Sequence, residues 1–242
     1  MPFPHECFVI ALSHRTTKNI TTDDFAGVNL DEGIVHGWAN FKNAKTFSTE
    51  IEAKHFFEEN KIYGLVGRNG SGKSVFLKIL CSLYTPTSGE VLYDGVDIVK
   101  EGLIPPSTRA LIEKPAFLPD LSGFDNLKLL ASIQNIIGDK EILDALDSVN
   151  LTKDKDKKYR YYSLGMKQKL GIAQALMEDP KVILLDEPFN GIEDSTADKL
   201  RSLLKKEAKK GKIIIIATHI KEDLVKLADE IYKFDEGNIK KA

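Results

Sequence analysis

Gly67-Arg68-Asn69-Gly70-Ser71-Gly72-Lys73-Ser74 (GRNGSGKS) decides the fold of this 242-residue chain. The stretch matches GxxxxGK[ST] at every fixed position. The apolar run Lys61 to Val66 precedes it, and Val75, Phe76, Leu77, Ile79 and Leu80 follow at helical spacing. That order, strand then glycine turn then helix, has a physical purpose. Glycines let successive backbone N–H groups turn toward one anion, and the helix start adds its partial positive charge. Lys73 is placed to reach β- and γ-phosphates, and the Ser74 hydroxyl suits Mg²⁺. Asn69, Gly70, Ser71, Gly72 and Val75 complete the expected nucleoside triphosphate cradle.

Two later strands are expected to end at the same edge. Val182-Ile183-Leu184-Leu185 is a buried apolar run closing on Asp186 and Glu187, and α/β sheets present their sites at the carboxyl ends of strands. There Asp186 is positioned to hold Mg²⁺, directly or through water, and Glu187 to polarise an attacking water. Ile213 to Ala217 forms a second such run, ending in Thr218 and His219. His219 is then a candidate to reach the γ-phosphate and that water.

The rest of the chain fits one large domain with a modest insertion. Hydrophobic residues make up 42% and charged residues 29%, enough for a core in a soluble protein, and the formal charge of −2 gives no reason to expect nucleic-acid binding. Cys7 and Cys81 lie far apart, without metal-ligand spacing, and read as reduced thiols. No apolar run approaches the roughly 20 residues that span a bilayer, and the start lacks the basic and cleavage regions of a signal peptide. A membrane role would come through a partner.

Residues 1–35 show no sustained period and are expected to be an ordered but irregular extension, or else disordered. TPTSGEVLYDGVDI reads as a hairpin turning at Asp94-Gly95. Residues 124–150 suit two amphipathic helices broken near Gly138-Asp139, and KDKDKKYR at 153–160 reads as a solvated face. Helices over about 166–177, 195–210 and 221–228 alternate with the two apolar strands. That alternation implies parallel strands with crossover helices.

The phosphate loop, LLDEP ending at Pro188 and ATH ending at His219, in this order, resemble the ATP-binding subunits of ABC transporters. A fourth stretch, Tyr162-Ser163-Leu164-Gly165-Met166-Lys167-Gln168, looks like a divergent form of that family's signature loop, usually LSGGQ. The resemblance covers roughly residues 40–238. It implies an α/β P-loop NTPase core of the ABC ATPase type with a mixed or parallel sheet. An N-terminal antiparallel β part and an inserted α-helical subdomain at about 114–165 complete that fold. Residues 36–242 would form the nucleotide-binding domain, with 1–35 unassigned. The implied ligands are ATP and Mg²⁺. The implied partners are a second nucleotide-binding domain, joined head to tail so that Ser163 and Gly165 meet the ATP of the other copy, and a separate membrane permease that holds the protein at the cytoplasmic face. Phe117, Leu118 and Leu121 are candidates for docking that permease, or else part of the subdomain core. Phe47 is the candidate adenine-stacking ring, with Phe41 as the alternative. Glu193 stands where the family usually has an aspartate.

Within Leu111-Ile112-Glu113-Lys114-Pro115 the resemblance aligns Glu113 with a glutamine that senses Mg²⁺ and the attacking water. A glutamate there, with the YSLGMKQ loop, resembles exporters that protect bacteria from bacitracin and lantibiotics. Unlike an amide, ionised Glu113 can only accept hydrogen bonds. Two readings stay open for it, a site carboxylate and a solvated loop acid. The competing function is an ABC-type ATPase that works without a permease.

Overall fold

The apolar run before the phosphate loop forms β3 (Lys61–Val66), whose four middle residues are buried between β8 and β9. The computed structural model describes residues 8–13, 53–86, 89–235 and 238–242. A six-stranded sheet runs in the order β10-β9-β3-β8-β7-β6, made of β6 (Thr108–Leu111), β7 (Val182–Asp186), β8 (Ile213–Thr218), β9 (Glu230–Asp235) and β10 (Asn238–Lys241) around β3. Every pair in it is parallel except β9–β10.

Register explains why distant motifs meet. Leu111, Leu185, Ile216 and Gly64 lie in one row across β6, β7, β8 and β3, and Asp186 pairs with Ala217 in the next. The segments carrying Glu113, Asp186-Glu187, His219 and the phosphate loop therefore leave the sheet at one edge, as parallel strands require. Strand alternation then sorts the core into two layers. Ile183, Leu185, Ile214 and Ile216 face the layer that contains Leu170, Leu200, Leu204 and Leu224. Val182, Leu184, Ile213 and Ile215 face the other, with Phe57, Phe76, Leu77 and Leu80.

A second, four-stranded sheet has the order β2-β1-β4-β5, from β1 (Phe8–Ser13), β2 (Ala53–Glu58), β4 (Glu90–Tyr93) and β5 (Val96–Asp97). The antiparallel part expected here is the β4–β5 pair, whose turn residues Asp94 and Gly95 both have positive φ, as a tight hairpin needs. Beside it, β1 runs parallel to both β2 and β4, so this sheet is mixed, and the extension contains a regular strand.

Between β6 and β7 the chain is helical: α2 (Gly123–Gln134), α3 (Asp139–Ser148) and α4 (Leu164–Leu176). The break between α2 and α3 falls at Asn135, which caps α2 in a left-handed conformation. Leu127 and Ala131 of α2 point inward, while Leu129 and Ile133 are exposed. The 153–160 run is mostly solvated, but Tyr159 is buried and donates its hydroxyl to the Pro115 carbonyl at 2.6 Å. The remaining helices are α1 (Lys73–Leu80), α5 (Asp194–Ala208) and α6 (Lys221–Val225).

Candidate functional site

The site is built on α1. Gly72 caps this helix at φ 105°, a left-handed conformation that costs glycine nothing because it has no Cβ. Lys73 is buried, and its Nζ donates to the carbonyls of Gly67 at 2.7 Å and Arg68 at 3.1 Å. Burial lowers its pKa, against the pull of Glu187 and Asp186. Its ammonium is thus turned onto the loop that is predicted to cradle phosphate, through two hydrogen bonds. Asn69 and Gly70 are exposed, and Val75 packs against the core behind the loop. The Ser71 hydroxyl is buried and finds no hydrogen-bond partner among the described residues.

Ser74 Oγ donates to Asp186 Oδ2 at 2.5 Å. Burial raises the Asp186 pKa, with the Glu187 charge adding to it, while the Ser74 hydroxyl and the backbone N–H of Glu113 pull it down. A hydroxyl and a carboxylate thus converge on one point. Among the described residues no group of three or more His, Cys, Asp or Glu side chains assembles for a metal. One carboxylate and one hydroxyl, completed by phosphate oxygens and water, is the set that Mg²⁺ takes. The donors present fit that ion.

Glu187 follows at φ 48°, a strained conformation for a residue with a side chain, and its N–H donates to the Ala217 carbonyl at 2.8 Å. Its carboxylate is held from β8. Thr218 Oγ1 donates to Oε2 at 2.9 Å, the His219 N–H donates to Oε1 at 2.9 Å, and His219 Nδ1 lies 2.7 Å from Oε1. Thr218 is buried, whereas His219 is partly open to solvent. A carboxylate gripped on both oxygens beside Asp186 is suited to orienting a water.

Glu113 has its acid at the surface in this structure. Its backbone, at φ 62°, directs the N–H to Asp186, while its carboxylate pairs with Lys78 of α1. The side chain is 66% exposed. The loop therefore touches the site through its main chain, and the acid faces away along α1.

Ser163 caps α4 and accepts from the Met166 N–H at 3.2 Å. Gly165 approaches Gly191 so closely that a Cβ would lie 2.7 Å from the Gly191 carbonyl oxygen. Glu193 caps α5 without a side-chain hydrogen bond. Phe117 packs edge-on against Tyr159 at 5.3 Å between ring centres, whereas Leu118 is about half exposed. Phe47 and Phe41 lie outside the described residues. Sequence reasoning gives no role to Thr218 or Lys78. The first sits inside the quoted ATH run and carries its own signal; a lysine on a helix carries none.

Comparison with known proteins agrees with this fold. The ABC transporter family model matches residues 53–190. An uncharacterized ABC transporter ATP-binding protein of Bacillus subtilis (strain 168), YybJ, is 40% identical over 198 residues, covering 82% of this chain and 91% of its own length. The bacitracin transport ATP-binding protein BcrA of Enterococcus faecalis is 38% identical over 184 residues, covering 75% of this chain. This chain spans only 59% of BcrA. The lantibiotic transport ATP-binding protein SrtF of Streptococcus pyogenes is 35% identical over 181 residues, covering 75% of this chain and 78% of its own length. Among solved structures, the dimeric post-hydrolysis state of the ATP-binding cassette MJ0796 bound to ADP and Pi superposes with a TM-score of 0.71 at 25% identity, covering 77% of this chain and 86% of that one.

Proposed function

This chain belongs to the ABC transporter family as an ATP-binding subunit with ATPase activity, and we propose that it powers a separate membrane permease exporting peptide antibiotics of the bacitracin or lantibiotic type. The substrate class rests on the likeness to BcrA and SrtF, both named for such transport. Among the described residues no helix is long and apolar enough to cross a membrane, so in this reading the permease supplies the path and holds the chain at the cytoplasmic face. Half-exposed Leu118, beside the partly buried Phe117 that packs on Tyr159, is the apolar side chain offered to it.

The observation that carries the chemistry is the grip of Thr218 and His219 on the Glu187 carboxylate, next to the Ser74–Asp186 pair. In the proposed cycle Lys73 leaves the Gly67 and Arg68 carbonyls for the β- and γ-phosphates. Ser74 and Asp186 would hold Mg²⁺, which when bound offsets the charge on the phosphate oxygens. Glu187 accepts a proton from the attacking water, and His219 keeps that carboxylate in place. Ser163 and Gly165, at the start of α4, are assigned to the ATP of a second copy, because a helix N-terminus favours an anion. ATP then holds two copies together by contacts that exist only in the closed pair.

The export reading is tested in cells that produce this chain together with a multi-span membrane subunit. Survival in bacitracin or a lantibiotic is expected to rise with both proteins and to fall back with Lys73→Ala. Equal survival with and without the membrane subunit would contradict it.

Glu113 enters the cycle in this proposal by releasing Lys78 and turning its carboxylate toward the Mg²⁺ site. An exposed ion pair contributes only about 0–1 kcal/mol, so nucleotide binding can open it. Glu113→Gln is expected to leave melting temperature and ATP affinity unchanged and to alter turnover, or its coupling to export, by about 2- to 10-fold, the scale of one charged contact. Wild-type turnover and wild-type export in that variant would return Glu113 to the role of a surface acid.

A further inference from the structure

We propose that Gln168 is a positioning residue that fixes Glu187 to the first turns of α4, so that the start of this helix and the water-activating carboxylate move as one body. The proposal rests on the role of Glu187 given above.

Gln168 is buried, an uncommon place for an amide without a task, and its Nε2 donates to the Glu187 backbone carbonyl at 3.0 Å. The acceptor carries little else: the Asn190 N–H reaches the same oxygen at 3.2 Å. Glu187 is also the residue whose φ of 48° needs support from its surroundings. That support comes from three sides. The Ala217 carbonyl takes its N–H, Thr218 and His219 hold its carboxylate, and Gln168 holds its carbonyl.

The face of α4 that carries Gln168 has a second contact with the same loop. Gly165 precedes Gln168 by three residues, and side chains three apart share a helix face. At Gly165 the backbone of α4 lies against the Gly191 carbonyl with no room for a Cβ. Leu164 closes on Gly191 from its other side, where a Cβ would lie 2.5 Å from the leucine Cδ2. Segment 187–191 is thus seated on α4 by a steric contact at one end and a directed hydrogen bond at the other. A shift of the Ser163–Gly165 turn pulls on the Glu187 main chain through Gln168. In the paired arrangement proposed above, that turn serves one ATP and Glu187 the other, so Gln168 ties the two sites together.

The test uses the purified full chain with Mg·ATP. Gln168→Met keeps length and packing but removes the donor. Turnover (kcat) is expected to fall about 10- to 100-fold, the scale on which a misplaced catalytic group loses rate. KM, ATP affinity and melting temperature are expected to stay near wild-type, a split that general loss of packing does not produce. In the Glu187→Gln background the same change is expected to alter the residual single-turnover rate by less than about two-fold, because coupled residues are not additive. Gln168→Asn keeps the amide one methylene short and is expected to show the same loss of kcat, and it decides the matter if the methionine variant does not fold. Wild-type kcat in a folded variant, a rise in KM alone, or equal losses in both backgrounds would overturn the proposal. Full turnover in Glu187→Gln by itself would remove the role of Glu187, and that single variant reports it independently of Gln168.

Discussion

Glu187→Gln is expected to lower ATP turnover by about 10²- to 10⁴-fold, the range over which a general base contributes, while ATP stays bound. The amide has the shape of the carboxylate but cannot take a proton from water. Its oxygen can still accept from Thr218 or from the His219 N–H, so the fold at the end of β7 has little reason to change. Its NH₂, however, must face one of those donors, and that mismatch adds to the loss of the base. Single-turnover measurement with pre-bound ATP separates the chemical step from binding. Wild-type turnover in this variant would mean that another group activates the water.

Lys73→Ala is expected to weaken ATP binding by about 30- to 5,000-fold, from the 2–5 kcal/mol that truncating one partner of a buried charge pair costs. The structure shows why the lysine is replaceable for folding but not for binding. Among the described residues its ammonium donates to the Gly67 and Arg68 carbonyls of a partly open loop, and water can take over there. Phosphate oxygens in the same place carry formal charge and have no equivalent substitute. Equilibrium titration with ATP reads the change directly. An affinity within two-fold of wild-type would remove Lys73 from the phosphate site.

Much of this arrangement is legible in the amino-acid sequence. The glycine loop and the two acid- or histidine-ended strands carry strong local patterns, and parallel pairing then brings their ends together by register. Asp186 opposite Ala217 follows from two apolar runs of similar length leading to the same edge. Local pattern does not show what side chains do across elements. Lys78 reads as one more lysine on a helix, yet it takes the Glu113 carboxylate. Glu113 itself has a φ of 62°, which no neighbouring glycine or asparagine announces, and this turns its N–H rather than its acid toward Asp186. Tyr159 hides in a run of charges because its ring packs on Phe117 and its hydroxyl finds a carbonyl 44 residues away. Gln168 sits in the signature-like loop as an ordinary polar residue, and only the close approach of Gly165 to Gly191 shows which way that face of α4 points. The exposed Leu129 and Ile133 show the converse: spacing predicts a helix, but not how many of its apolar side chains find a neighbour.

The pairing of two copies around ATP gives Ser163 and Gly165 their role and joins the separate parts of the site into one machine. Sedimentation of the Glu187→Gln protein with and without saturating Mg·ATP tests it most directly. A single-chain mass is expected without nucleotide and twice that mass with ATP. Adding Ser163→Arg is expected to return the single chain, since that bulk and charge would block the start of α4. A species that keeps the single-chain mass while ATP is demonstrably bound would contradict the pairing.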